Sequence, residues 1–319
     1  MKYYKIFLIF DLKLQVMFMK RYVFLLLIVT ISLAAYGQSD ILLTQQWFSR
    51  ININPAATGN SNNVDIFLLN RQQWVGFENA PRTNILNAHS YFNSIQSGLG
   101  FNLMLDKLGV GRQTVDAMLS YAYHIDLSDK MLLSMGLSGG YYNRQWDPQK
   151  NNWSDDNDPE KLIDRSSIGS ADFNAGLELN AYGIIFGASA THLLNSSPEK
   201  AYTDKPGRAY YIYTRYRWSI DRTIDLAPGI MYRNSNRSSF FDINVMGYYQ
   251  KKYWVGLSFR PNNSFAAMLG AEFGMFRAGY SYDHSIGALS SLASNTHEFM
   301  LSVRIQKPQK GRKTTRFLE

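Results

Sequence analysis

About fourteen stretches of β character follow the first forty residues, and the links between them alternate between tight and long. From Asn60 onward every second link is a turn: Asn93 to Gln96, Asp126 to Lys130, Asn180 to Gly183, Ser219 to Arg222, Gln250 to Lys252 and Gly274-Met275. The other series holds Arg71 to Arg82, Asn143 to Ala171, Asn195 to Arg208 and His284 to Thr296, with short members at Asp106 to Gly111, Arg233 to Ser238 and Pro261 to Ser264. A chain that crosses a bilayer and returns is punctuated in this way, with short turns in the periplasm and longer loops outside. The expectation is an all-β fold, a closed antiparallel transmembrane β-barrel of about 14 strands over 64–306. An even strand number puts both mature termini on the periplasmic side of the outer membrane.

A membrane-crossing helix needs roughly 20 mostly apolar residues in a row, and no stretch after Tyr36 approaches that. Aromatic residues make up 14% of the chain, with 21 tyrosines, and mean hydropathy is only slightly negative. That balance suits alternating lipid-facing and lumen-facing residues. The chain has no cysteine, so disulfides and thiolate metal sites are excluded and stability has to come from closing the sheet.

Lys20-Arg21, the apolar run Tyr22 to Leu33, and Ala35-Tyr36-Gly37 stand in the order of a secretory signal peptide cut after Gly37. Residues 1–37 are read as a leader, with translation starting at Met17 or Met19, because the apolar patch before them is broken by Asp11, Lys13 and Gln15. Residues 38–63 form a periplasmic N-terminal segment, rich in Asn and holding Pro55, that plugs the lumen or meets a partner. Residues 307–319, with Lys307, Lys310, Arg312, Lys313 and Arg316, form a basic periplasmic tail suited to a partner, peptidoglycan or anionic headgroups, or without a role.

Alternate residues are apolar in the later strands, as a two-residue period requires. Phe265, Ala267, Leu269, Ala271 and Phe273 face lipid, as do Tyr253, Val255, Leu257 and Phe259, and Phe299, Leu301, Val303 and Ile305. Thr83 to Phe92 and Gly183 to Leu194 carry a blurred period. The same parity puts Asp116, Glu178, Arg215, Arg217, Asp225, Asp242, Arg260, Glu272, Arg277, Glu298 and Arg304 inside. An Arg or Lys on the lipid face near the midplane costs about 2–4 kcal/mol, so confinement to one face is a physical demand. An internal network of acid and guanidinium pairs is expected. It either lines a conducting or binding lumen or braces a narrow barrel, and the brace is the favoured reading. Tyrosine and tryptophan near strand ends, among them Tyr141, Tyr142, Tyr210, Tyr211, Tyr248, Tyr249, Tyr253 and Trp254, are read as interface girdles.

Catalysis is not expected. His284 beside Asp283 and Ser285 is the one compact acid-base-nucleophile group, and it lacks a nucleophile elbow. There is no P-loop, GxGxxG or HExxH motif, and the acidic run Asp155, Asp156, Asp158 does not have EF-hand spacing. No cofactor or metal is expected. Part of the +8 formal charge lies in leader and tail, so nucleic acid is not an expected partner.

Two groups of motifs carry a resemblance. Near the start, Gln45-Gln46-Trp47-Phe48 and Asn54-Pro55-Ala56-Ala57-Thr58-Gly59 precede Arg71-Gln72-Gln73-Trp74, Gly76 and Pro81. Near the end stand Gly279-Tyr280-Ser281-Tyr282-Asp283 and Thr296-His297-Glu298. With Asp106, Gly109 and Trp254-Gly256-Leu257-Ser258-Phe259-Arg260, nearly the whole mature chain resembles the PorP/SprF family of the Bacteroidota. Ala57 stands where the family usually has an aromatic residue, and Thr296 where it usually has Ser. The resemblance implies a non-enzymatic outer-membrane component of type IX secretion and gliding. Its implied role is to assist export or surface attachment of a secreted adhesin or its C-terminal sorting domain. A core partner of the periplasmic ring is the alternative, and a porin the further one. Outer-membrane lipid and other type IX components are the remaining implied partners.

Overall fold

The structure is a computed structural model that describes residues 41, 43–150, 165–194, 207–235, 238–286 and 295–307. Residues 1–40, the Asp155 to Asp158 run and the tail beyond Lys307 lie outside the described residues.

The strands are β1 Val64–Gln72, β2 Arg82–Phe92, β3 Ser97–Leu108, β4 Arg112–Ser128, β5 Met131–Trp146, β6 Ser166–Ala181 and β7 Ile184–Thr191. They continue as β8 Ala209–Tyr216, resuming at Trp218–Ser219, then β9 Ile224–Ser235, β10 Ser238–Tyr249, β11 Tyr253–Arg260, β12 Ser264–Phe273, β13 Phe276–Ser285 and β14 Asn295–Ile305. Every strand pairs antiparallel with its chain neighbours. β14 returns to β1, from Val64 opposite Ile305 to Gln72 opposite His297, and closes a 14-strand barrel. Closure is what a hydrocarbon surround demands, because no water is there to bond an exposed sheet edge.

Burial alternates residue by residue where the sequence alternates. In β11, Tyr253, Val255, Leu257 and Phe259 are exposed on the outer face, while Trp254, Gly256, Ser258 and Arg260 are buried. The blurred segments are β2 and β7, where inward Asn87 and outward Ala88 weaken the contrast without breaking the ladder. The link expected from Asn143 to Ala171 is shorter than the sequence indicates. Asn143 pairs with Gly169 and Trp146 with Ser166, so small polar residues that look like loop are carried as strand by a paired neighbour.

Four of the six short turns, those holding Gln96, Tyr182-Gly183, Gln250-Lys251 and Gly274, use positive backbone φ angles. Tyr182 and Gly183 (φ 51° and 86°) form a two-residue hairpin between Ala181 and Ile184, whose sense of twist matches the strands it joins. At the Ser219 to Arg222 turn, Asp221 accepts the Thr223 and Ile224 amides at 2.6 and 2.8 Å, and these bonds hold its carboxyl below the usual range.

Val255, 65% exposed on the lipid side of β11, reports the outer face directly. Val255→Arg is expected to lower the unfolding free energy of the vesicle-refolded barrel by about 2–4 kcal/mol in a urea titration, whereas an unchanged midpoint would place that position away from hydrocarbon.

Candidate functional site

The segment before β1 is wound into three short 3-10 turns, Gln46–Phe48, Arg50–Asn52 and Pro55–Ala57, and it packs against the inward face of the wall. The third turn is set locally: Asn54 accepts the Ala56 amide at 2.9 Å and Pro55 pre-forms the first position. Its other contacts go to the barrel. Asn54 donates to the Leu177 carbonyl at 2.9 Å and the Tyr213 hydroxyl at 3.0 Å, Ser49 donates to Asn87, and Ser189 donates to the Ile53 carbonyl at 2.7 Å. Arg50 reaches Glu178 at 3.0 Å, and the Tyr213 hydroxyl donates to the same carboxylate at 2.6 Å. Trp47 meets the edge of Tyr213 at 5.8 Å. With partners on β2, β6, β7 and β8, the segment lies within the lumen.

Glycines in the wall make the seat. A side chain added at Gly136 would overlap the Ala56 backbone, one at Gly98 the Thr58 carbonyl, and one at Gly176 the Asn54 side chain. Glycine inside a strand weakens it and marks close approach by another backbone. Here that backbone is Asn54 to Gly59, completed by His124, whose Nε2 lies 2.9 Å from the Thr58 carbonyl, and by the Gly59 amide, which donates to His89 at 3.2 Å.

Toward the long-loop end, the β1–β14 seam concentrates charge. Arg71 is bonded to Asp283 at 3.1 Å and to Glu298, its neighbour across the seam. Arg260 bridges Asp242 at 2.6 Å and Asp283 at 3.2 Å. The lumen segment joins this network: Glu298 accepts the Thr44 and Gln45 amides, and the Thr44 hydroxyl donates to Asp283 at 2.7 Å. Every one of these side chains is buried, so each charge is both paired and hydrogen-bonded, as burial requires.

Five more of the charges assigned inward pair as well. Arg217 meets Asp225 at 3.0 Å, Arg277 meets Glu272 at 3.1 Å, and Arg304 meets Asp65 at 3.0 Å. Asp116 is buried opposite Tyr142. Arg215 differs: it donates to the Tyr248 hydroxyl at 2.7 Å and lies over Trp47 at 5.3 Å. Each such ring contact is worth about 0.5–2 kcal/mol, less than the several kcal/mol that desolvating an ion costs.

The motif residues at the long-loop end form a second set. The Gln73 amide donates to the Pro81 carbonyl at 3.0 Å and closes a loop in which Trp74 and Gly76 take positive φ. That loop lies along the start of β14, Val75 donating to the Asn295 carbonyl at 2.9 Å and Trp74 to the Thr296 hydroxyl at 3.4 Å. Asp106 accepts the Thr83 hydroxyl at 2.7 Å, and Gly109 takes φ 68° in the next turn. Tyr280, Tyr282 and His297 are on the outer face, where the Tyr280 hydroxyl meets His297 at 2.7 Å and Tyr282 donates to Asn295 at 2.6 Å. Asp283 points inward and His284 is exposed outward, so adjacent strand positions separate the acid from the base. The girdle reading also divides by parity. Tyr141, Tyr210, Tyr249 and Tyr253 are outward, whereas Tyr142, Tyr211 and Trp254 are buried inside.

The sequence matches the family model described as type IX secretion system membrane protein PorP/SprF over residues 35–303. The chain belongs to this family. No curated protein matches it. Among solved structures, the PorP/SprF chain is similar to the Acinetobacter baumannii outer membrane protein Omp33, at 8% identity and TM-score 0.46 over 76% of this chain and 99% of that one. It is similar to the Pseudomonas putida toluene transporter TodX, at 7% identity and TM-score 0.48 over 85% and 96%. For the Ralstonia pickettii toluene transporter TbuX the values are 11% and 0.47 over 80% and 92%. These likenesses concern the barrel fold alone.

In this PorP/SprF barrel the motifs at the two ends of the chain are brought together. Arg71, Asp283 and Glu298 meet at the seam, and the Trp74 loop meets Thr296. Asn54 and Pro55 sit apart from them on the glycine seat. Sequence reasoning missed Thr44, Arg50 and Tyr213, and the seat itself, although inward-parity glycines in otherwise ordinary strands were a readable sign of backbone approach.

Two substitutions test the lumen contacts. Gly136→Val is expected to displace the segment and open the bond after Arg50 to trypsin in the folded barrel, read by mass spectrometry; continued resistance would contradict the seat. Arg50→Met strands Glu178 in the lumen and should cost about 3–5 kcal/mol, most of it recovered on adding Glu178→Met. Full additivity in that double-mutant cycle would mean the two do not interact.

Proposed function

We propose that this PorP/SprF chain is an outer-membrane partner of type IX secretion that assists export or surface attachment of a secreted, adhesin-like cargo. On this reading the barrel is a holder and not a conduit. The observation that carries it is the filled lumen: the segment bearing the family motif Asn54 to Gly59 is bonded to the wall from β2 round to β14. A freely open pore leaves its lumen to water, whereas this one seats the chain's own backbone, so the porin reading is the weaker one. With the lumen occupied, the surfaces left for partners are the ends of the barrel and its outer wall.

The reading places the short turns, both mature termini and the Lys307 tail in the periplasm, where ring and motor components lie, and the long loops outside, where a cargo domain is held. Residues 1–37 are the leader in this reading, and 38–63 enter the periplasm before folding into the barrel. Lys307 stays close to the wall, donating to the Tyr91 carbonyl at 2.9 Å. Site roles follow the two motif sets: Asn54 and Pro55 hold the lumen closed, while Trp74, Gly76, Tyr280, Tyr282 and His297 shape the outer rim that a cargo meets.

Deleting the gene is expected to remove one large surface protein from the cell surface, recovered in the periplasm or medium, while other type IX substrates are exported normally. Loss of every type IX substrate would assign the core-assembly role instead, and an unchanged surface proteome would contradict both.

A further inference from the structure

Between the lumen segment and the wall, at the short-turn end, lies a narrow cleft with a cavity volume of about 30 Å³ that opens to solvent at its mouth. Four guanidinium groups line it, Arg50 from the segment and Arg215, Arg217 and Arg277 from the wall, with Gly183 of the β6–β7 turn at its edge. Glu178, Asp225 and Glu272 hold three of them. Arg215 has no carboxylate within ion-pairing distance among the described residues, although it is only 8% exposed. Its Nη2 donates to the Tyr248 hydroxyl at 2.7 Å and to the Met246 sulfur at 3.1 Å, and its guanidinium carbon lies 5.3 Å from the ring centre of Trp47 and 5.9 Å from that of Tyr248.

A guanidinium keeps its charge at any cellular pH and carries five donors in a fixed fork that fits the paired oxygens of a carboxylate or phosphate. Ring faces and a thioether return part of the lost hydration but leave the charge unbalanced. Four guanidiniums against three carboxylates leave the cleft one negative charge short, and the shortfall falls on the most buried cation without an acid. We propose that this cleft binds an oxyanion, a phosphate or a carboxylate group, whose oxygens bridge Arg215 to the neighbouring guanidiniums of Arg217 and Arg277. The Tyr248 hydrogen bond and the nearby Trp47 ring then serve to aim Arg215, and the lumen segment contributes to the site through Trp47 and Arg50. The ligand comes from the side that the short turns face, and the site goes beyond the cargo role because it does not depend on which cargo the outer rim meets.

Calorimetric titration of the detergent-solubilised full barrel with sodium phosphate, against sodium chloride at equal ionic strength, should give saturable binding of one ion. Arg215→Met should weaken it roughly ten- to a hundredfold, the loss expected on removing a charged hydrogen-bond pair. If that variant does not assemble, Arg277→Gln at the mouth should weaken phosphate in the same direction. A short peptide with a free C-terminal carboxylate that displaces phosphate, when its amidated form does not, would identify the source as a chain terminus; no displacement by either would identify it as phosphate. Absence of saturable phosphate binding to the wild-type barrel would overturn the proposal, as would an assembled Arg215→Met, or in its place Arg277→Gln, that binds phosphate like the wild type.

Discussion

Everything in this molecule depends on the pairing of its first strand with its last. Until β1 meets β14, two rows of peptide groups face hydrocarbon with nothing to bond, and each unmet group costs several kcal/mol. Once they meet, the two-residue period sends one set of side chains to lipid and the other to the interior around the whole ring. The seam also brings Arg71 beside Glu298, from opposite ends of the chain, and so builds a buried charge cluster at the point of closure.

Closure creates a second problem. About eight strands leave an interior that side chains can fill, and sixteen or more leave an aqueous channel. Fourteen strands fall between these limits, and this chain occupies the space with its own residues from Leu43 to Gly59. The wall is adapted to that occupant. It gives up side chains at Gly98, Gly136 and Gly176 to admit the backbone of Asn54 to Thr58, and it supplies Glu178 for Arg50 and Glu298 for the Thr44 and Gln45 amides. Charges that look from sequence like simple bracing therefore also hold the segment in place.

Much of this was legible in the sequence for a plain reason: a lipid surround makes the period of two obligatory. Phe265 to Phe273, Tyr253 to Arg260 and Phe299 to Ile305 reveal which face is which without knowledge of any neighbour. Legibility fails where the deciding contact is remote. Ser166 to Ser170 read as loop because only their ladder to Tyr142 and Trp146 makes them strand. Tyr142, Tyr211 and Trp254 read as interface aromatics because composition near a strand end carries no information on facing, whereas parity does. The seat for Asn54 is assembled from β3, β5 and β6, and a pattern searched one strand at a time does not show it. The acid partners of Arg50, Arg217 and Arg277 in the cleft are read from parity only as a set, because their pairing depends on register.

Ionic current through the barrel reports most directly on the claim that residues 43 to 59 fill the lumen. In planar bilayers, the purified full chain is expected to insert without a steady open-channel current, and a variant lacking residues 43 to 59 is expected to conduct. A stable conductance from the full chain, equal to that of the shortened one, would contradict the account.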